Sequence, residues 1–235
     1  MKQAAATAVV MAGGTLAEEE LRIPRTAHEL EGFRAWARSD RFPEAGRIDY
    51  LAGDIEVDLS PEDLQTHGTP KAAIAAELFI LVAKRRLGYV FVDRTRVTSA
   101  RSPLSVEPDI VVVLFASLDA GRVRQVPAIR KGPGRFVELE GAPDLVVEIV
   151  SDASEEKDNK RLPEHYARAG VRELWLVDAR GPDLRFDVRL LDGTTYRGVE
   201  SDPDGWVRSS VLGLRCRLHR DPAPHEGWLY ELEHA

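Results

Sequence analysis

The sequence has little cysteine, no long apolar run and no excess of positive charge. The single cysteine, Cys216, excludes an internal disulfide and a cysteine-rich zinc site within one chain, which suits a reducing cytoplasm. No apolar segment approaches the roughly 20 residues that a membrane-spanning helix needs. The formal net charge of −7 argues against a protein that coats nucleic acid through its overall charge. We therefore expect a cytoplasmic protein, away from membranes, whose chemistry lies in local clusters of side chains.

Two apolar runs, each opened by Pro-Asp, are the most informative pattern in the chain. The first begins at Pro108-Asp109, and the second begins at Pro143-Asp144 and contains Glu148 between Val147 and Ile149. Such runs are typical of strands covered on both faces. A carboxylate within one is costly to bury unless a cation meets it. If the two strands are neighbours, Asp109 and Glu148 could share a metal, and their hard oxygen ligands favour Mg²⁺ or Mn²⁺. An arginine or lysine is the alternative partner of Glu148.

Other patterns divide the chain into three parts. Residues 1–20 lack clean periodicity and are expected to form a disordered leader; residues 21–185 form the core, and residues 186–235 a β-rich extension of the same domain. Within the core, the spacing of apolar residues predicts three helices, over about 28–39, from Thr69 to near Gly88, and from about Asn159 to Gly170. It also predicts a hairpin over 47–59 and a loop or short hairpin over 116–137.

Basic residues form candidate contacts for phosphate. Between Gly121 and Arg135 the chain carries five cations and no acid; they are Arg122, Arg124, Arg130, Lys131 and Arg135. They would contact nucleic-acid backbone, or simply form a solvated surface. Lys157 and Lys160 follow Glu148 closely, and either could place a cation near a reacting water or be an ordinary solvated residue at the start of a helix.

Several other polar and aromatic residues allow two interpretations. Asp144 follows a proline at the start of a strand, where an aspartate commonly binds turn amides, so a structural role is as plausible as a functional one. Glu77 lies on the long helix among apolar residues and is a lesser candidate for a metal ligand. Tyr166 and Trp175 are expected to be core aromatics, because helix and strand spacing explains them.

The ordered motifs resemble the Uma-two family of proposed restriction endonucleases, within the PD-(D/E)XK nuclease superfamily. The motifs are the two Pro-Asp runs, Lys157-Asp158, and the segment from Tyr166 to Asp178. The resemblance extends from Ile48 to Val211. It implies a restriction-endonuclease-like core of class α/β (α+β), with a central mixed β-sheet flanked by α-helices. It also implies that Asp109 and Glu148 are metal ligands and that His67, which matches a family histidine, either approaches the site or has a cap or surface role.

The sequence departs from the family pattern at the active-site lysine. In many such proteins this lysine has moved to the helix after the second strand, and the corresponding position here is Leu162; the original strand position is Val150. Lys160, slightly favoured, or Lys157 must therefore substitute, or the site is impaired.

These observations support three hypotheses about function. The first is a Mg²⁺- or Mn²⁺-dependent endodeoxyribonuclease that acts on DNA, for which a homodimer is a reasonable expectation by analogy. The second is a catalytically silent module on the same fold that binds nucleic acid or protein. The third, an acid/base hydrolase with paired carboxylates of the glycosidase kind, lacks any sign of an aromatic-lined sugar cleft.

Overall fold

The structure is a computed structural model that describes residues 7–10, 17–129 and 133–235. The strands, in chain order, are Thr7–Val10 (β1), Ala17–Glu20 (β2), Arg47–Leu51 (β3), Asp54–Asp58 (β4), Gly88–Val92 (β5), Arg96–Ser99 (β6), Leu104–Val106 (β7), Ile110–Leu114 (β8), Val123–Pro127 (β9), Phe136–Gly141 (β10), Leu145–Ile149 (β11), Glu173–Asp178 (β12), Arg185–Asp192 (β13), Thr195–Gly198 (β14), Val207–Ser209 (β15), Leu214–Pro222 (β16) and Trp228–His234 (β17). The α-helices are Leu30–Ala37 (α1), Thr69–Lys84 (α2), Phe115–Asp119 (α3) and Leu162–Ala169 (α4). Within the predicted leader, β1 and β2 pair antiparallel, and residues 1–6 and 11–16 lie outside the described part of the chain.

The central sheet is mixed and has the strand order β14-β13-β12-β11-β8-β5. Only β11 and β12 run parallel in it; the other pairs are antiparallel. The two predicted buried strands are β8 and β11, and they are neighbours, with Val146 opposite Val111. Apart from Glu148 in β11, their residues are all apolar because both faces of the sheet are covered.

Different elements cover the two faces of this sheet. On one face, Val147 and Trp175 pack against helix α2 and against the small antiparallel sheet β15-β16-β17. On the other face, Val146 and Leu174 pack against helix α4 and against a second six-stranded sheet of order β4-β3-β7-β6-β10-β9. The predicted architecture of a central mixed sheet flanked by helices is confirmed.

The second sheet contains both segments for which a hairpin was predicted or considered. Strands β3 and β4 form the hairpin expected over 47–59, and Ala52 and Gly53 make its turn with φ values of 54° and 102°. The stretch 116–137, predicted as a loop or short hairpin, contains most of helix α3 and also β9, which pairs antiparallel with β10.

Helices α2 and α4 share an unusual beginning. Each has a proline in its first turn, Pro70 or Pro163, and each follows a π-helical turn, Leu64–Gly68 or Lys157–Arg161. Proline has no N–H and its ring crowds the carbonyl four residues earlier, which a turn with bonds five residues apart accommodates. Helix α4 therefore begins at Leu162, later than the predicted Asn159.

The C-terminal region is anchored to the central sheet by one buried carboxylate. Residues 185–198, which fall mainly in the predicted extension, form β13 and β14 and widen the central sheet. Glu173 in β12 accepts hydrogen bonds from Trp175 Nε1 (2.7 Å) and from the backbone N–H groups of Ser210 (2.8 Å) and Val211 (3.0 Å). In the described part of the chain, no helix combines the length and the apolar character required to span a bilayer.

Candidate active site

The structure brings Asp109 and Glu148 together. Asp109 directly precedes β8, and the pairing of Val147 with Ile110 places Glu148 beside it on the adjacent strand. Both carboxylates are 1% exposed. Because side chains alternate along a strand, Glu148 shares the face of Val146, which is covered by helix α4 and the second sheet. The fold thus places two acids in a buried polar cluster between the central sheet and the elements that cover it.

Asp109 is held by several donors. Its Oδ2 accepts a hydrogen bond from the backbone N–H of Ile149 (2.7 Å), and its Oδ1 accepts one from Arg47 Nη2 (2.7 Å). His67 Nε2 lies 3.5 Å from Oδ2. Burial alone would raise the pKa of Asp109, but its contacts with His67, Arg47 and Ile149 outweigh burial and lower that pKa. Asp109 is therefore ionised at neutral pH.

Glu148 has the opposite electrostatic character. Burial, together with the charges of Asp109 and Asp158, raises the pKa of Glu148 well above its usual range. Tyr166, which is a core aromatic as predicted, also donates its hydroxyl to Glu148 Oε1 at 2.5 Å. Glu148 Oε2 is buried and has no hydrogen-bond partner among the residues that the structure describes. Without a further cation, Glu148 therefore retains a proton that Asp109 has lost.

Two cations, Arg47 and Lys157, belong to this charged cluster and lie far apart in the sequence. Arg47 in β3 binds Asp109, and the negative charges of Glu148 and Asp49 add to that of Asp109 in raising the pKa of Arg47 against the effect of burial. Lys157 Nζ lies 3.0 Å from Asp49 Oδ2, and the Lys157 side chain is 11% exposed. The sequence analysis did not identify Arg47 or Asp49. Their alternation with buried Ile48, which puts both charges on one face of β3, was the available signal.

The lysine candidates separate clearly. Lys157 belongs to the charged cluster, whereas Lys160 is exposed and makes no hydrogen bond or ion pair through its side chain with any described residue. Leu162, the position where the resemblance placed a lysine, is 2% exposed and packs in the apolar cluster that contains Tyr166. Of the two candidates, Lys157 is the one that lies among the buried charges, and the choice between them remains a prediction.

A second group of polar residues adjoins Asp109. Asp63 accepts hydrogen bonds from the N–H groups of Gln65 (2.9 Å) and Thr66 (2.7 Å), which fixes the π-helical turn that carries His67. His67 Nδ1 lies 3.4 Å from Glu62 Oε2, and one ligand atom each from Glu62, His67 and Asp109 lie within 4.8 Å of one another. His67 thus lies next to Asp109, which agrees with the interpretation in which this histidine approaches the site.

Glu77 and Asp144 are occupied elsewhere. Glu77 is 3.0 Å from His234 in β17 and is not part of the Asp109 cluster. Asp144 accepts hydrogen bonds from the Leu114 N–H (2.8 Å), the Ser117 hydroxyl (2.7 Å) and Arg172 (3.0 Å). These bonds support the structural interpretation of Asp144.

The predicted basic segment lies at the far edge of the second sheet. Strand β9 is four strand positions from β3, about 19 Å at ordinary strand spacing. Arg122 lies 3.9 Å from Asp144, Arg124 lies 2.5 Å from Glu140, and Arg135 is exposed. Arg130 and Lys131 fall outside the described residues.

The architecture defines an α/β protein with a restriction-endonuclease-like core. A solved crystal structure of a putative nuclease belonging to DUF820 from Anabaena variabilis shares the fold, with a TM-score of 0.58 and 20% sequence identity; the match covers 79% of this chain and 90% of that one. The family model described as "Uma2: Putative restriction endonuclease" matches residues 30–223. The chain therefore belongs to the Uma2 family, as the motifs indicated. The comparison with curated proteins gives no match.

Proposed function

We propose that this protein is an endonuclease that hydrolyses DNA phosphodiester bonds with Mg²⁺ or Mn²⁺. The observation that carries the proposal is the buried pair Asp109 and Glu148 beside Arg47, with one oxygen of Glu148 left unpartnered. A buried polar atom without a partner costs about 1–3 kcal/mol, and a cation bound at this oxygen would offset that cost. Family membership and the likeness to the DUF820 nuclease support the same class of reaction.

The donor set fits a hard divalent ion. Asp109 and Glu148 would hold it with carboxylate oxygens, and Glu148 Oε2 is the free acceptor that such an ion would satisfy. A bound divalent ion supplies an activated water and polarises the phosphate. Tyr166 fixes the orientation of Glu148 through its hydroxyl, and the Ile149 N–H fixes Asp109, so both ligands are positioned in advance.

The cations of the pocket are suited to an anionic substrate. We assign Lys157 as the active-site lysine, because its ammonium group lies in the acidic cluster while Lys160 lies outside it. Arg47 adds a second positive charge, fixed by its contact with Asp109. Both would stabilise charge that develops on a phosphoryl group. Within the basic segment, exposed Arg135 is better placed for phosphate than Arg122 or Arg124, which face Asp144 and Glu140.

One specific observation favours a catalytically silent binding module as the second candidate. Leu162 fills a core position where the family resemblance expects the lysine, so the usual helical cation is absent at that position. If Lys157 does not replace that cation, the fold would bind its partner without cleaving it.

The test is cleavage of supercoiled plasmid and of a single-stranded oligonucleotide with Mn²⁺, Mg²⁺ or EDTA. Asp109→Asn and Glu148→Gln should abolish metal-dependent cutting. Glu77→Gln is the matched control, because Glu77 pairs with His234 and should leave cutting unchanged. Absence of cleavage of every DNA form by the native protein would refute the nuclease. DNA binding that is unchanged in Asp109→Asn, without cleavage, would establish the silent module.

A further inference from the structure

The arrangement around His67 differs from an ordinary ion-pair network. His67 is 5% exposed, and its two ring nitrogens face two different carboxylates at 3.4 and 3.5 Å. Charge-assisted N–H···O bonds usually measure about 2.7–2.9 Å, so neither contact is a well-formed direct bond. His67 Nδ1 is buried and makes no hydrogen bond within the described part of the chain. The imidazole therefore sits between two acids at distances longer than those of close charge-assisted bonds.

The separation between His67 Nε2 and Asp109 Oδ2 is close to that of two ligands on one metal ion. First-row divalent ions bind imidazole nitrogen and carboxylate oxygen at about 2.0–2.2 Å. Two such ligands at a tetrahedral or octahedral angle are then about 3.0–3.5 Å apart. The observed 3.5 Å is at the upper end of this range.

Glu62 is placed as the supporting carboxylate of such a ligand. A metal-bound histidine almost always donates its other ring N–H to a carboxylate or carbonyl, which sets the tautomer and orients the ring. Here Glu62 faces Nδ1, which leaves Nε2 directed at Asp109. Lys71, on the first turn of helix α2, holds both oxygens of Glu62 at 2.7 and 2.9 Å and also binds Asp93 at 2.8 Å. Glu62 is half-exposed, so this clamp is what gives it a defined position.

We propose that His67 Nε2 is a metal ligand that shares its ion with Asp109, and that Glu62 and Lys71 are the positioning residues for this imidazole. The inference rests on the proposed function, because Asp109 is a ligand both of the proposed carboxylate site and of the ion that His67 would share. It adds a nitrogen ligand to a site otherwise built from carboxylates. Imidazole suits later first-row ions such as Fe²⁺ and Zn²⁺, and N/O sites bind Mn²⁺ least tightly in that series, so the added nitrogen should shift the preference of the site from Mg²⁺ towards the transition metals.

The experiment is pulsed electron paramagnetic resonance of the full chain loaded with Mn²⁺, which detects directly bound ¹⁴N. The native protein should show an imidazole nitrogen coupling. His67→Gln should lose it and bind Mn²⁺ more than tenfold more weakly in calorimetry, with little change in Mg²⁺ affinity. His219→Gln is the matched control, because His219 lies on β16, away from this cluster, and should keep both the coupling and the affinity.

A second variant protects the test against a folding defect. Glu62→Gln alters a half-exposed residue and should keep the nitrogen coupling while weakening Mn²⁺ binding about 10–100-fold, as loss of a supporting carboxylate typically does. Mn²⁺ binding without nitrogen coupling, or coupling that persists in His67→Gln, would overturn the role of His67 and leave the proposed carboxylate site intact. Absence of Mn²⁺ binding at millimolar concentration would overturn both. Nitrogen coupling without DNA cleavage would support the ligand and refute only the nuclease.

Discussion

Replacing Lys157 by methionine tests the assignment of the active-site lysine. Methionine keeps most of the length of the side chain and removes its charge. Lys160→Met is the matched comparison on the same turn, because Lys160 is exposed and lacks a side-chain ion pair with any described residue. The two substitutions therefore remove the same charge from two positions that differ in their contacts.

The structure gives the size of the expected effects. Lys157 Nζ pairs with Asp49, whose side chain is 3% exposed, and removal of one partner of a buried pair typically costs about 3–5 kcal/mol. Because the Lys157 side chain is 11% exposed, we expect the lower end, about 3 kcal/mol. Loss of a cation that stabilises the transition state would lower the rate by a further 10²–10³-fold, about 2.7–4 kcal/mol. Lys160→Met should change the free energy of unfolding by no more than about 0.5 kcal/mol.

Urea denaturation measures the free energy of unfolding, and plasmid cleavage with Mn²⁺ measures the rate. The cleavage assay is run at a temperature where circular dichroism shows each variant folded. Lys157→Arg should recover most of the stability, since it restores the charge next to Asp49. Equal effects of the two methionine variants on both quantities, or a larger loss of cleavage in Lys160→Met, would refute the assignment.

Three further predictions concern buried ionisable groups. Glu173→Ala should lower the free energy of unfolding by at least about 3 kcal/mol in urea denaturation, since three N–H donors lose their acceptor at about 1–3 kcal/mol each; no change would contradict this anchoring role. Burial chiefly raises the pKa of Asp158 from 3.8 to about 6, so the native state holds its proton more tightly than the unfolded chain, and this contribution to stability is lost as pH rises from about 4 to 6. Melting curves should show that the stability of Asp158→Asn rises relative to that of the native protein as pH increases across that window, and parallel curves would contradict this prediction. Burial raises the pKa of the Cys216 thiol to about 12, so a thiol reagent at pH 8 should react with it only after unfolding, and rapid labelling of the native protein would refute its burial.

The sequence predicted the features that depend on local pattern. The two apolar runs form buried, neighbouring strands, and the cost of burying Glu148 drew attention to the acidic pair that they carry. The first-turn proline of helix α2 was predicted correctly, but Thr69, expected to be the N-cap, is the first residue of the helix and Gly68 is the N-cap. These predictions needed no knowledge of distant contacts.

The remainder of the site depends on contacts between residues far apart in the chain. Arg47 meets Asp109 across 62 positions, and Lys157 meets Asp49 across 108, so neither pair has a local signature. His67 and Lys157 also lie on π-helical turns, where a spacing of 3.6 residues does not apply. The preference for Lys160 came from treating that turn as part of a regular helix.

The anchoring of Glu173 also bears on the order in which the chain can finish folding as it leaves the ribosome. Strand β12 lies inside the central sheet, yet its buried carboxylate is fully satisfied only when residues 210 and 211 arrive to donate their N–H groups. A nascent chain that ends before this point would have to bury Glu173 without its backbone donors or leave that part of the sheet open. Completion of the central sheet is therefore coupled to synthesis of the last quarter of the protein.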